Sequence, residues 1–553
     1  MYMSVKVLLL FYVLIREASF AVSQNCLAKE LEPDMVVCVC NETYCDVLEP
    51  VKQLPPTQYA VYTSNIAGER FSKTIASFTR PMIYTNCTVP DSDKICEHNV
   101  HADYILCSQK QKKNLHESID AKKVEKKIYI NPKARFQEIF GFGGAFTDST
   151  GINIKNMSPE LQEYIMRSYF SDEGLEYNLG RVPMGGTDFS NHYYSYIDSD
   201  EEDLNCIDPQ LRQMQLAPED FEYKIPLIQE AIKLAKDLKL ITSTWTIPKA
   251  FKENNLYRGS MGFVIDDLYQ LLADYYVKFL DLYLKYGISF WGISTGNKPF
   301  LAMAEFAGIP AIFWFPDDLG LWIRENLGPT IRKSAFKNIK ILTLDDQRPL
   351  LEILPKVLAN PKTLDYIDGI ALQFYFDFAN NTYLLEKTHK QYPNKFMLSV
   401  EAAVGTKYTG AAKMGDWTNA ELYATDIIQD FNHWVTGWID WNMVLDTKGG
   451  PTLSDPLISP VTSNITEFYK EPQYYALAHF SKFITRGSFR IYSSQCDADN
   501  LVQQSAFQRP DGGIVVVILN RNDFPVKRTL INCGKSDIKL SLSARSITTV
   551  IYW

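Results

Sequence analysis

Between residues 138 and 442 the sequence repeats one pattern: a short apolar run, a polar break, then an amphipathic stretch. Strand candidates fall at 140–145, 179–184, 240–245, 290–294, 339–344, 369–375, 396–401 and 434–440. Parallel neighbours need long crossovers, and amphipathic helices supply them here. Residues 225–236 carry apolar side chains every three or four positions; 268–286 do the same and stop at Gly287, a residue suited to the left-handed cap of a helix. Eight strand–helix units in about 300 residues predict a (β/α)₈ TIM barrel, an α/β fold. In that architecture polar residues at and just past the C-terminal ends of the strands face the active site. Arg181, Asp188, Asn297, Gln373, Tyr375, Glu401 and Asn442 occupy that edge.

The flanks read differently. Residues 513–520 and 540–552 are short β-rich runs with turns between them, so an all-β sandwich follows the barrel. The expected organisation is a signal peptide at 1–23, a cysteine-rich N-terminal segment at 24–50, a β-sandwich built from 51–137 plus 484–553, and the barrel at 138–483. Lys6 precedes the apolar run 7–15, and Ala21-Val-Ser23 offers small residues for cleavage. That run is too short for a membrane span, which takes roughly 20 apolar residues. On the secretory route, lysosomal or secreted, ten cysteines are expected to be mostly paired. Sequons at Asn41, Asn86, Asn156, Asn380 and Asn464 fit a glycoprotein. The net charge of −9 disfavours nucleic acid as a partner. Seven histidines without ligand spacing give no metal site, and no cofactor is implied.

Several ordered blocks narrow the reading: Cys38-Val-Cys-Asn-Glu-Thr-Tyr-Cys45, Phe142-Gly-Gly-Ala-Phe-Thr-Asp148, Arg181-Val-Pro-Met184, Leu344-Asp-Asp-Gln-Arg348, Val400-Glu-Ala402, Gly437-Trp-Ile-Asp-Trp-Asn442 and His479-Phe-Ser-Lys-Phe-Ile484. Together they resemble the lysosomal acid glucosylceramidases of glycoside hydrolase family 30, nearly end to end. The resemblance implies a retaining β-glucosidase of sphingolipid metabolism, with glucosylceramide or another β-glucoside as substrate. It also implies a lipid-presenting activator protein and a membrane surface as possible partners. It places Glu401 at the nucleophile. Asp188, Trp245, Asn297, Tyr375 and Trp441 fall at sugar-binding positions, and Arg181 at a structural position beside the nucleophile. The resemblance and short spacing pair Cys26 with Cys38 and Cys40 with Cys45; Cys496 with Cys533 is a further expected pair. Cys87, Cys96, Cys107 and Cys206 are left unassigned.

One position departs from the pattern. The family's strand-four motif ends Glu-Asn-Glu-Pro, the second Glu being the acid/base; this chain reads Gly296-Asn297-Lys298-Pro299. Gln373 and Phe374 stand where the family has His and Trp. Retaining glycosidases use two carboxyl groups about 5 Å apart, one nucleophile and one acid then base. A lysine, with an ordinary pKa of about 10.4, is a poor acid, and an ammonium cannot activate water. Beside Glu401 it is expected to close into a salt bridge where the sugar must sit. Two readings follow. One is a family member with impaired or lost hydrolysis that keeps a glucoside or lipid pocket. The alternative is an active glucosylceramidase, releasing glucose and ceramide with Glu401 as nucleophile and another acid, for which Glu305 is a candidate.

Overall fold

The computed structural model describes residues 25–78, 126–197, 208–258, 262–300, 309–377, 381–405, 413–495, 501–532 and 536–553. The signal-peptide reading, Cys87, Cys96, Cys107, Cys206, the Cys496–Cys533 pairing, the sequons at Asn86 and Asn380, and Glu305 lie outside the described residues. Of the other sequons, Asn156 and Asn464 are exposed and Asn41 is half-buried.

The described chain begins with β1 (Ala28–Glu32), β2 (Met35–Cys40), β3 (Gln58–Asn65), β4 (Ser72–Ser77) and the long β5 (Lys126–Glu138). Eight strands follow: β6 (Gly141–Ala145), β7 (Leu179–Met184), β8 (Lys239–Thr244), β9 (Gly292–Ser294), β10 (Lys340–Gln347), β11 (Gly369–Gln373), β12 (Phe396–Glu401) and β13 (Val435–Asn442). After them come β14 (Val444–Asp446), β15 (Val461–Ser463), β16 (Phe468–Lys470), β17 (Phe489–Gln495), β18 (Val502–Gln508), β19 (Ile514–Asn520), β20 (Val526–Asn532), β21 (Ile538–Leu542) and β22 (Ser546–Tyr552).

Strands β6 to β13 pair in parallel with their sequence neighbours, and β13 closes on β6. Leu179, Ile241, Leu342, Ala371, Leu398 and Ile439 form an apolar cluster drawn from six of these strands, the packed filling that a small barrel requires. Two residues above Leu179, on the same face of β7, sits Arg181. The fourth strand is shorter than expected, three residues instead of five. It stops where Gly296 takes φ +128°, a conformation only glycine adopts freely. The sixth ends at Gln373, and a single 3₁₀ turn, Phe374–Phe376, carries Tyr375 outward.

Strands β3, β4, β5 and β17–β22 form one nine-stranded sheet in the order β21-β20-β5-β17-β18-β19-β22-β3-β4. Its own core includes Ile128, Ile130, Val516, Ile518, Leu530 and Val550. Helix Pro472–Ser481, buried along its whole length, locks this module to the barrel. His479 on it reaches Ser64 Oγ (2.9 Å) and Thr549 Oγ1 (2.8 Å), and burial pushes its pKa down to about 3. At the N-terminus the disulfides are Cys26–Cys38 and Cys40–Cys45. They are not the only ties there: β2 pairs with β16, making a five-stranded sheet β1-β2-β16-β15-β14 with the segment that follows the barrel. No helix among the described residues is long and apolar enough to cross a membrane.

Several carboxyls are buried with too few cations to hold them ionised. Arg348, fully buried, sits 2.8 Å from Asp377, 3.3 Å from Asp426 and 2.7 Å from Asp430. Burial pushes Asp377 up to about 7 and Asp430 up to about 8, with Arg348 opposing both shifts. Glu471, also buried, rises to about 7. A carboxyl whose folded pKa is raised stabilises the fold fully below its unfolded value, and that contribution is lost as pH climbs through the folded value. Above pH 6.5, the ordinary histidine value, the unfolded His479 is mostly neutral, so its opposing effect fades towards pH 8. The melting temperature should therefore fall as pH rises across this window, and a calorimetric series at constant ionic strength measures it. A melting temperature that is flat or rising there would show these carboxyls ionised in the native state.

Candidate active site

The mouth of the barrel is organised around one carboxylate. Glu401, 1% exposed, accepts from Arg181 Nη1 on Oε2 at 2.8 Å. On Oε1 it accepts from Tyr375 Oη at 2.9 Å and Lys298 Nζ at 2.5 Å. Strand irregularities aim these groups. Between β11 and β12 the register shifts after Leu372, so Gln373 stands opposite Glu401, not Val400. A second shift on β10 leaves Leu344 and Asp345 at positive φ (76° and 47°). Bulges of this kind redirect side chains at barrel rims.

Asp345 is the other hub. Its carboxylate takes Arg181 Nη2 (2.8 and 2.9 Å), Ser243 Oγ (2.7 Å), Ser294 Oγ (2.6 Å) and Gln373 Nε2 (2.9 Å). Arg181, 0% exposed, thus spans two buried carboxylates and also lies over Trp245, 4.5 Å from the ring centroid. Trp245 and Trp441 stack at 4.9 Å with 10° between their planes. The loop after β9 is tied on both sides: Asn297 N donates to Thr244 O (2.9 Å) and Lys298 N to Asp345 O (2.9 Å). These bonds hold Lys298 at φ +49° and carry its ammonium to Glu401.

Apart from Glu305, which lies outside the described residues, the site residues named from the sequence sit at or beside this mouth. Asp188, on the loop after β7, accepts from Ser454 Oγ at 3.1 Å. Shielding from water pushes its carboxyl up to about 6; the Lys298 ammonium opposes that shift and the Glu401 carboxylate adds to it. Burial, reinforced by Glu401, likewise holds the Tyr375 hydroxyl well above its usual value. Asn297 Oδ1 accepts from Gln373 Nε2 (2.9 Å), so its amide nitrogen faces away from those partners. That nitrogen, Trp245 Nε1 and Asn442 Nδ2 are buried donors without a hydrogen-bond partner among the described residues. Sequence reasoning missed Asp345 as a site residue. The signal was present: Asp345-Asp346 closes a strand whose C-terminal end faces the mouth.

A closed eight-stranded parallel barrel whose mouth gathers buried polar residues around a glutamate defines a TIM-barrel protein with an enzyme-type site. The chain belongs to glycosyl hydrolase family 30. The family's TIM-barrel domain matches residues 139–484 and its beta sandwich domain residues 487–550. Lysosomal acid glucosylceramidase of Mus musculus is 35% identical over 520 residues, covering 92% of each chain. Putative glucosylceramidase 4 of Caenorhabditis elegans is 34% identical over 529 residues, 94% of this chain and 93% of that one. Among solved structures, SrfJ from Salmonella typhimurium superposes with a TM-score of 0.74 at 22% identity, covering 90% of this chain and 99% of that one, which shows the fold.

Proposed function

We propose that this chain is a glucosylceramidase-type protein that keeps a β-glucoside pocket and has lost most of its hydrolytic power. The observation that carries the reading is the 2.5 Å contact between Lys298 Nζ and Glu401 Oε1. A retaining site needs a gap of about 5 Å between two carboxyls, and here an ammonium fills it. Glu401 is the nucleophile by position, held by Arg181 and Tyr375. Asp188, Trp245, Asn297 and Trp441 line the sugar site, and the unpartnered donors on Trp245 and Asn297 are available to sugar hydroxyls. Lys298 supplies neither a suitable acid for the leaving alkoxide nor a base for water. The similarity to lysosomal acid glucosylceramidase supports glucosylceramide as ligand and a lysosomal or secreted location; a membrane surface and a lipid-presenting activator protein remain partners of this reading by family resemblance alone.

An aryl β-glucoside with a good leaving group separates the two halves of the cycle, because it departs without a proton. The protein should give a burst of phenol no larger than one per active site, then stall as the glucosyl ester of Glu401 waits for a base. Rapid steady turnover without added nucleophile would mean that another residue supplies the base, and would contradict the reading.

A further inference from the structure

Lys298 imposes two defects at once: it occupies the nucleophile, and it offers no proton for the leaving group and no base for the acceptor. One class of substrate removes both. An oxyanion leaves without a proton, attacks without a base, and competes with Glu401 for the ammonium. The hydrogen bonds around Glu401 permit that exchange. Lys298 Nζ has three donors, and among the described residues its hydrogen bond goes to Glu401 alone. Glu401 keeps Arg181, shared with Asp345, on Oε2 and Tyr375 on Oε1 when the ammonium leaves, so the carboxylate still has a cation and a hydroxyl donor. The Lys298 side chain is 10% exposed against 1% for Glu401, so the lysine is the more open member of the pair.

Resting on the glucoside-pocket reading above, we propose that this site transfers glucosyl groups to and from oxyanions, with a phosphate or a carboxylate standing where other glucosidases use an alcohol or water. In the first step a Glu401 oxygen attacks C1 of a β-glucosyl phosphate. The C1–O bond breaks, its electron pair leaves on the phosphate oxygen, and Lys298 pairs with the departing anion. In the second step an oxyanion attacks C1 of the glucosyl ester, and the bond to Glu401 breaks with its electron pair returning to the carboxylate. No proton need change hands and nothing is oxidised or reduced.

The test uses the full chain, an aryl β-glucoside, and added inorganic phosphate or acetate at ionic strength held constant with chloride. The stalled phase should accelerate roughly tenfold or more and saturate with anion, one charge-assisted hydrogen bond being worth that much. Phosphorus NMR should detect β-glucosyl phosphate in the phosphate arm; acceleration by acetate alone would assign the acceptor as a carboxylate. Lys298→Met keeps the aliphatic stem and removes the charge. It should raise the half-saturating anion concentration roughly tenfold or more, with a melting curve confirming the fold. A clear burst followed by anion-independent release, or a Met variant saturating at the same concentration, overturns the proposal. Absence of any burst overturns the pocket reading and this proposal with it.

Discussion

Replacing Lys298 with glutamate should raise glucosylceramide hydrolysis by roughly 10²-fold or more, the usual worth of a positioned acid/base. Lysine ends one bond beyond the carboxylate oxygens of glutamate, so the shorter side chain withdraws from Glu401. Repulsion between the two carboxyls opens the gap further, towards the separation of about 5 Å that a retaining mechanism uses. Two carboxyls so close cannot both ionise cheaply, and one keeps its proton at mildly acidic pH as the required acid. The backbone accepts the change: residue 298 is already a side-chain-bearing residue at φ +49°, tied by its N–H to Asp345 O. Introducing a glutamate at Gly296 as well is a poor companion, because φ there is +128° and any Cβ would be strained. The single variant is therefore the cleaner experiment, read as kcat/KM on a fluorescent glucosylceramide. No gain in a well-folded Lys298→Glu protein would mean that the pocket formed by Asp188, Trp245 and Trp441 has itself diverged.

Arg181→Met should cost about 3–5 kcal/mol of stability, the usual penalty for removing one partner of a buried ion pair. Arg181 is wholly buried, and its guanidinium holds Asp345 at 2.8 Å and Glu401 at 2.8 Å. Methionine fills much of the volume against Trp245 but leaves Asp345 facing only hydroxyls and an amide. Lys298 still neutralises Glu401, so Asp345 bears most of the loss. Urea unfolding gives the number directly. Arg181→Lys should recover part of it, since an ammonium restores charge but cannot reach two carboxylates with a planar fork. A loss below about 1 kcal/mol in the Met variant, the range of an exposed pair, would show that the arginine is not the tie between these carboxylates. The same substitution in the Lys298→Glu background should abolish the regained hydrolysis, because Glu401, the proposed nucleophile, would lose its main support.

The barrel was readable because its strands are compact, largely apolar runs, several of them ending in a polar residue as in Phe396–Glu401, and crossovers with helical spacing follow. Glu401 and its neighbours were readable by position at strand ends. The Lys298–Glu401 ion pair was expected from the two charges and their positions and is present; the contacts made by Asp345 and Gln373 were not legible, because they depend on two register shifts and on the positive φ at Asp345. Periodicity carries no trace of such irregularities. Asp345 was passed over although it follows an apolar run at the mouth-facing end of its strand; its reach to Arg181 comes with the register shift in β10. At the N-terminus the cysteines pointed to disulfide staples, but the pairing of β2 with β16 joins residues more than 400 positions apart. Main-chain pairing over that distance leaves no local pattern to read.

Turnover of fluorescent glucosylceramide by the purified native protein at acidic pH tests the central claim most directly. With Lys298 closed on Glu401, product formation should stay at the level of a Glu401→Gln control. Steady hydrolysis well above that control would show that the ion pair opens and another group supplies the acid, and the account of an impaired site would be wrong.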